Sequence, residues 1–272
     1  MLTSKPITKL VFLDIETKAK YENFTDLPAK LQMLFQQQWE WLIEQIAHRE
    51  YLDKLHIAKD KEDYELCFNK AQDEVYKQKA HLSPELSEVI CISAGMILEG
   101  ENKELTFKCA SFCGENEKEI LTAFMSNPKS FIHQKDYANN EKYIVGYNIK
   151  GFDLPFLSKR IIYNGLELPP TLDIGHLKPW ELGHIIDLKE HLKFGGMDAP
   201  SLELLCTTLG VETAQDKFVV EPSELAGKHK AKEYDFIKSY CEWNVYALAK
   251  CYLQLIRSKE YPNGVQNNLT KI

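Results

Sequence analysis

The chain has 272 residues, 44% of them apolar, with a net charge of -7 and an isoelectric point near 5.7. That length suits one large domain with a buried core. The acidity argues against a protein that coats long duplexes through counterion release, but not against one that holds a strand end through bound cations.

In chain order, residues 9–15 are mostly apolar and predict a buried strand ending in Asp14, Ile15 and Glu16. Residues 25–80 change character: Leu27, Leu31, Leu34, Trp41, Ile43, Ile46 and Leu52 recur at helical spacing among polar residues. This predicts two or three helices inserted between strands, with Phe35, Trp39 and Trp41 packing on the sheet or offering an aromatic face. A second strand follows at 89–98, a polar turn at 99–103 and a hairpin partner at 105–112. A short helix fits 117–125, a strand 143–147, and a helix 153–163 with Gly165 as its stop. A short strand at 185–188 and a helix at 201–209 lead to a long helix over about 232–257. A meander followed by alternating strands and helices predicts an α/β sandwich on one mixed sheet. The organisation expected is a single domain over 1–259, its helical insert at about 25–80, and a loose tail at 260–272.

Seven cysteines, none in a C-x-x-C pair, read as reduced thiols, and those at 91, 109 and 113 as small strand hydrophobes. His176, His184 and His191 match no zinc spacing, and Lys193 to Gly196 is too short for a phosphate loop. Lys159-Arg160 and the basic run 228–232 read as solvated surface. Without an apolar leader or a membrane-length run, a soluble cytoplasmic protein is expected.

Four groups of polar residues carry chemistry. Asp14 and Glu16, two apart on a strand, leave one face together, and two such carboxylates repel unless a cation lies between them. Asp153 stands where a strand gives way to a helix, a place that also suits a helix-capping aspartate, and Asn148 suits a turn. Tyr240 and Asn244 share a helix face, bordering the stripe of Ile237, Cys241, Val245, Leu248, Tyr252 and Leu255.

Together, Leu13-Asp-Ile-Glu-Thr17, the block Gly146-Tyr-Asn-Ile-Lys-Gly-Phe-Asp-Leu-Pro-Phe-Leu157 and Tyr240-Cys-Glu-Trp-Asn244 resemble the DEDD exonuclease superfamily. More narrowly they are similar to the predicted 3′→5′ exonucleases related to the proofreading domain of family B DNA polymerases. Leu82 to Leu86 with 89–93, and Ser201 to Leu205 with Leu209-Gly210, extend the resemblance over most of the chain outside the insert and tail. It implies a ribonuclease H-like fold, a mixed five-stranded sheet flanked by helices with a helical insert after the first strand.

The resemblance further implies two divalent cations, Mg²⁺ or Mn²⁺, about 4 Å apart on oxygen ligands. Asp14 would bridge both ions, Glu16 would hold the one that generates the nucleophile, and Asp153 would serve the other. Tyr240 would orient the attacking water, placing the chain in the tyrosine subgroup, since Ser239 stands where the histidine subgroup has His. Ile15, through its backbone, and Thr17 would contact the terminal nucleotide. Asn148 and Phe152 would contact the strand, Phe152 by stacking. The expected partner is the 3′ end of single-stranded DNA, or RNA.

The fourth metal position departs from the family, with Asn244 where the pattern has Asp. An amide can coordinate but brings no negative charge. Either this is an engineered Asp→Asn change that traps a substrate complex, or the natural protein is a slow or dead relative that binds 3′ ends without cutting. The completeness of the remaining set favours the first.

Overall fold

The computed structural model describes residues 5–53, 61–100, 105–126 and 142–256. The expected tail, 260–272, and most of the expected turn at 99–103 lie outside the described residues.

Leu10, Val11, Phe12 and Leu13 are all buried, the near-continuous apolar run of a strand covered on both faces. They open β1 (Leu10–Ala19). β2 (Ser87–Glu99) and β3 (Leu105–Cys113) form an antiparallel hairpin, with Cys91 opposite Cys113 and Glu99 opposite Leu105. β4 (Tyr143–Gly146) runs parallel to β1, and β5 (Ile185–Asp187) runs parallel to β4. The order β3-β2-β1-β4-β5 is the mixed five-stranded, ribonuclease H-like sheet, with β1 at its centre.

The described residues group into two compact units, one made of Met1–Glu16 with Val89–Ile272 and the other of Thr17–Glu88. In the first, successive residues of β1 feed opposite cores, as period two requires. Val11, Leu13 and Ile15 pack with residues of α3 (Glu117–Ser126) and α4 (Asp153–Tyr163). Leu10 and Phe12 pack with α9 (Tyr234–Leu255), the Phe12 and Tyr252 rings meeting edge-on at 5.8 Å. Four short helices lie between: α5 (Leu188–Leu192), α6 (Leu202–Leu209), α7 (Ala214–Phe218) and α8 (Leu225–Lys230).

α6 starts and stops as its sequence dictates. The Ser201 hydroxyl accepts the Leu204 N–H, and Gly210 takes the left-handed turn at φ 65°. α9 is enclosed on more of its circumference than the predicted stripe, because β3, α6, α7 and α8 all pack on it. Tyr240, expected at the border of that stripe, is only 2% exposed.

Gly95 of β2 brings α9 close to the sheet. A Cβ there would lie 2.2 Å from the Phe107 ring and 2.9 Å from Val245 Cγ1. Gly95→Ala is therefore expected to cost about 1–3 kcal/mol by overpacking. Urea unfolding of the purified variant measures this, and an unchanged midpoint would contradict it.

The second unit is a helical hairpin, α1 (Ala29–Asp53) and α2 (Lys61–Lys79), with its own core. Phe35 packs on Phe24 and Tyr76 at 5.9 and 5.4 Å, and the Tyr76 hydroxyl donates to the Tyr21 carbonyl. Phe35 is thus core and Trp39 is half-buried, whereas Trp41 is 72% exposed. No described helix is long and apolar enough to cross a membrane. All seven cysteines are free thiols, of which Cys113 alone is partly exposed.

Candidate metal centre

Because Leu10 and Phe12 face α9, strand alternation turns Asp14 and Glu16 the same way. The β1–β4 pairing ends at Phe12 opposite Val145. The two acids therefore stand beyond the carboxyl end of β4, where open α/β sheets leave a crevice.

α9 meets them with Cys241 and Asn244, three residues apart on one helix face. Asn244 Nδ2 donates to Asp14 Oδ2 at 3.3 Å and to Glu16 Oε1 at 3.0 Å. Cys241 Sγ lies 3.6 Å from the Asp14 carbonyl and 3.8 Å from its Oδ2. One ligand atom from each of Asp14, Glu16 and Cys241 falls within 4.8 Å of the others.

Asp153, the first residue of α4, is buried. Its own backbone N–H and that of Ile15 act to lower its carboxyl, against the larger upward push of burial, which puts the start of α4 near β1. The helix-start reading and the site reading of this residue are thus compatible.

The turn before Asp153 is held from below by Asp187, at the end of β5 and buried. Its Oδ1 accepts Asn148 N–H at 2.9 Å and Lys189 N–H at 3.0 Å, and its Oδ2 accepts Lys150 N–H at 3.1 Å. Asn148 sits in the left-handed region at φ 61°, which asparagine tolerates better than most residues. Gly151 leaves space for the Asn148 side chain, since a Cβ there would come within 2.9 Å of Asn148 Oδ1.

Other predicted contact residues are placed differently. Ile15 is buried in the core, leaving its backbone for any contact. Phe152 is half-buried with its ring 5.3 Å from that of Phe156. Thr17 belongs to the second unit, where its hydroxyl donates to the His81 carbonyl at 2.7 Å.

Burial is the largest influence on all three carboxylates, and it pushes each upward. Asp14 rises to about 7, held down somewhat by Asn244 and Cys241. Burial and then the Asp14 charge push Glu16 and Asp153 well above the usual carboxylate range. Burial and the Glu16 and Asp14 charges also raise the Tyr240 phenol, so it keeps its proton at neutral pH. Burial pushes the Cys241 thiol up to about 12, so it stands beside Asp14 as a protonated donor.

Like-charged groups gathered under desolvation are what a divalent cation relieves. The carboxylate oxygens of Asp14 and Glu16 fit a hard ion of the Mg²⁺ or Mn²⁺ type, and the protonated Cys241 thiol makes a soft ion the poorer match; Asp153 is not part of that three-residue group.

Cys241 and Asp187 were not legible as site residues. In sequence the first reads as one member of an apolar stripe and the second as the end of a short strand. A carboxylate directly after two buried isoleucines and before a helix was the available signal for Asp187.

Comparison with known proteins supplies the relationship. The family model described as "Predicted 3′-5′ exonuclease related to the exonuclease domain of PolB" matches residues 79–268. That span runs from before β2 past α9 and includes Asp153, Tyr240 and Asn244, but not Asp14 or Glu16. Among solved structures, the family B DNA polymerase from the hyperthermophilic archaeon Pyrobaculum calidifontis is similar at 12% identity and a TM-score of 0.48. The likeness covers 90% of this chain and 24% of that one, so this chain spans about a quarter of the polymerase. No curated protein matches. With the family model covering well over half of its length, the chain belongs to the predicted 3′-5′ exonucleases related to the exonuclease domain of PolB.

Proposed function

We propose that this protein is a metal-dependent 3′→5′ exonuclease acting on the 3′ end of single-stranded nucleic acid, DNA in preference to RNA, and weakened at Asn244. The observation that supports this reading is the meeting of Asp14 and Glu16 of β1 with Asn244 of α9, where the pair also feels the Asp153 charge and acts on the Tyr240 phenol.

Asp14, Glu16 and Asp153 would hold the cations, and Asn244 can add an oxygen only by turning its amide over. When bound, two such ions supply the charge that activates a water and neutralises the departing 3′ oxygen. The Tyr240 hydroxyl, protonated at neutral pH, is suited to donate to and orient that water. The turn at Asn148, held by Asp187, would touch the strand beside Asp153. Hydrolysis then releases nucleoside monophosphates without a covalent intermediate. A single domain over 1–259 carrying the helical insert is part of the same reading.

The direct test is Asn244→Asp, assayed on 3′-recessed and single-stranded end-labelled oligonucleotides with Mg²⁺ or Mn²⁺. Restoring a charged ligand is expected to raise turnover at least about 10- to 100-fold. A second reading, a silent module that binds 3′ ends, draws on the Asn244 amide already engaging both acids. Tight 3′-end binding with no cleavage by either form, under either ion, would replace the first reading with the second.

A further inference from the structure

The Asn244 amide does more than lack a charge. Its NH₂ group reaches Asp14 Oδ2 and Glu16 Oε1 together, on the side of the pair where a cation shared by these two acids would have to bind. An amide is polarised, with two N–H donors at one end and an acceptor oxygen at the other. Facing two carboxylates, only the NH₂ end is tolerable, because the oxygen end would add a third acceptor to a crowded, desolvated site. To accept a cation there, the side chain must give up both hydrogen bonds and present its oxygen instead.

An aspartate at this position has no donor to lose, and its charge repels the pair until an ion arrives. The two residues therefore differ in sign as well as strength: one competes with the ion and the other demands it. Asp153 stands apart from this competition. The Asn244 amide bonds Asp14 and Glu16, while Asp153 feels the charge of Asp14.

We propose that the Asn244 amide is a built-in occupant of the Asp14–Glu16 position, so that the native chain takes a single divalent cation, held away from Glu16. This rests on the two-ion reading above and specifies how the site departs from it.

The test counts bound Mn²⁺ on the full chain by the loss of the free-ion electron paramagnetic resonance signal. The native chain is expected to bind one ion and Asn244→Asp two, the second at least about 10- to 100-fold tighter than in the native chain. Glu16→Gln in the native background is expected to leave the single ion in place, an arm that needs no folding of the Asn244→Asp variant. Two ions of similar affinity in the native chain, or loss of its one ion in Glu16→Gln, would overturn the proposal while leaving the exonuclease reading intact. An Asn244→Asp protein that is folded by circular dichroism yet takes no second ion would overturn both.

Discussion

Glu117→Ala is expected to cost about 3–5 kcal/mol, the usual result of stripping the partner from a buried charge. Glu117 opens α3 with its side chain only 7% exposed, against 4% for that of Arg160. Its Oε1 accepts the Val89 N–H at 2.7 Å and Arg160 Nε at 2.8 Å, and its Oε2 accepts Arg160 Nη2 at 2.5 Å and Asn164 Nδ2 at 2.8 Å. One carboxylate thereby joins the start of β2, the start of α3 and the end of α4. Removing it takes this acceptor away from a buried guanidinium, a strand N–H and a side-chain amide in a dry site.

Burial pushes the Glu117 carboxyl up, but Arg160, the Val89 N–H and Asn164 together outweigh burial and hold it below its ordinary value. A lowered folded pKa gives stability that is present above the unfolded pKa, near 4.5, and that is lost as pH falls through the folded value. The gap between native and Glu117→Ala proteins should accordingly narrow in acid. Equilibrium unfolding in urea at several pH values reads both effects, and a loss below about 1 kcal/mol at neutral pH would contradict the assignment.

The acidic centre behaves in the opposite sense. Asp14 is raised from 3.8 to about 7, and Glu16 and Asp153 are raised as well. A raised folded pKa means stability that is complete below the unfolded value and is lost as pH rises through the folded one. In the presence of a chelator the native protein should therefore weaken between about pH 4 and pH 8 from this source.

Asp14→Asn removes the central charge of the cluster. It is expected to stabilise the chelated protein by about 1–3 kcal/mol at about pH 8, a range that allows for the partial exposure of Asp14, and by little at about pH 4. Mn²⁺ should raise the melting temperature of the native chain by mass action, and of the variant far less. A variant no more stable than its parent at the higher pH would show that these carboxylates do not repel one another in the folded protein.

Much of this was legible in the sequence because local rules were strong. The unbroken apolar run at Leu10–Leu13 marked a central strand, and its parity already placed Asp14 and Glu16 on one face. Helix α4 was readable from its start at Asp153 to the left-handed Gly165 just beyond its end. The family pattern named Asp14, Glu16, Asp153, Tyr240 and Asn244 as one set, and of these the fold joins Asn244 to Asp14 and Glu16 by hydrogen bonds.

What stayed hidden was lateral. Cys241 meets Asp14 across 227 positions, and a thiol in an apolar stripe carries no local sign of such a neighbour. The N–H groups gathered by Asp187 belong to a turn nearly forty residues earlier. Phe218, the last residue of α7, packs its ring 6.0 Å from that of Tyr240, and α7 is too short to announce itself by periodicity. The aromatic residues of α1 showed helical spacing, but spacing alone cannot say which core receives them.

Sheet order has a consequence for biogenesis. The central strand is made first, yet its parallel neighbour begins only at Tyr143, and the helix that closes over it ends near the last residues described. Pairings so distant along the chain are slow to find one another. A nascent chain must therefore carry one open edge of its innermost strand until Tyr143 and the residues after it have emerged, a surface that invites sticking and chaperone attention. The acids of β1 meet Asn244 only once α9 has emerged, so a ribosome-bound fragment lacking that helix leaves both carboxylates without the amide that bonds them.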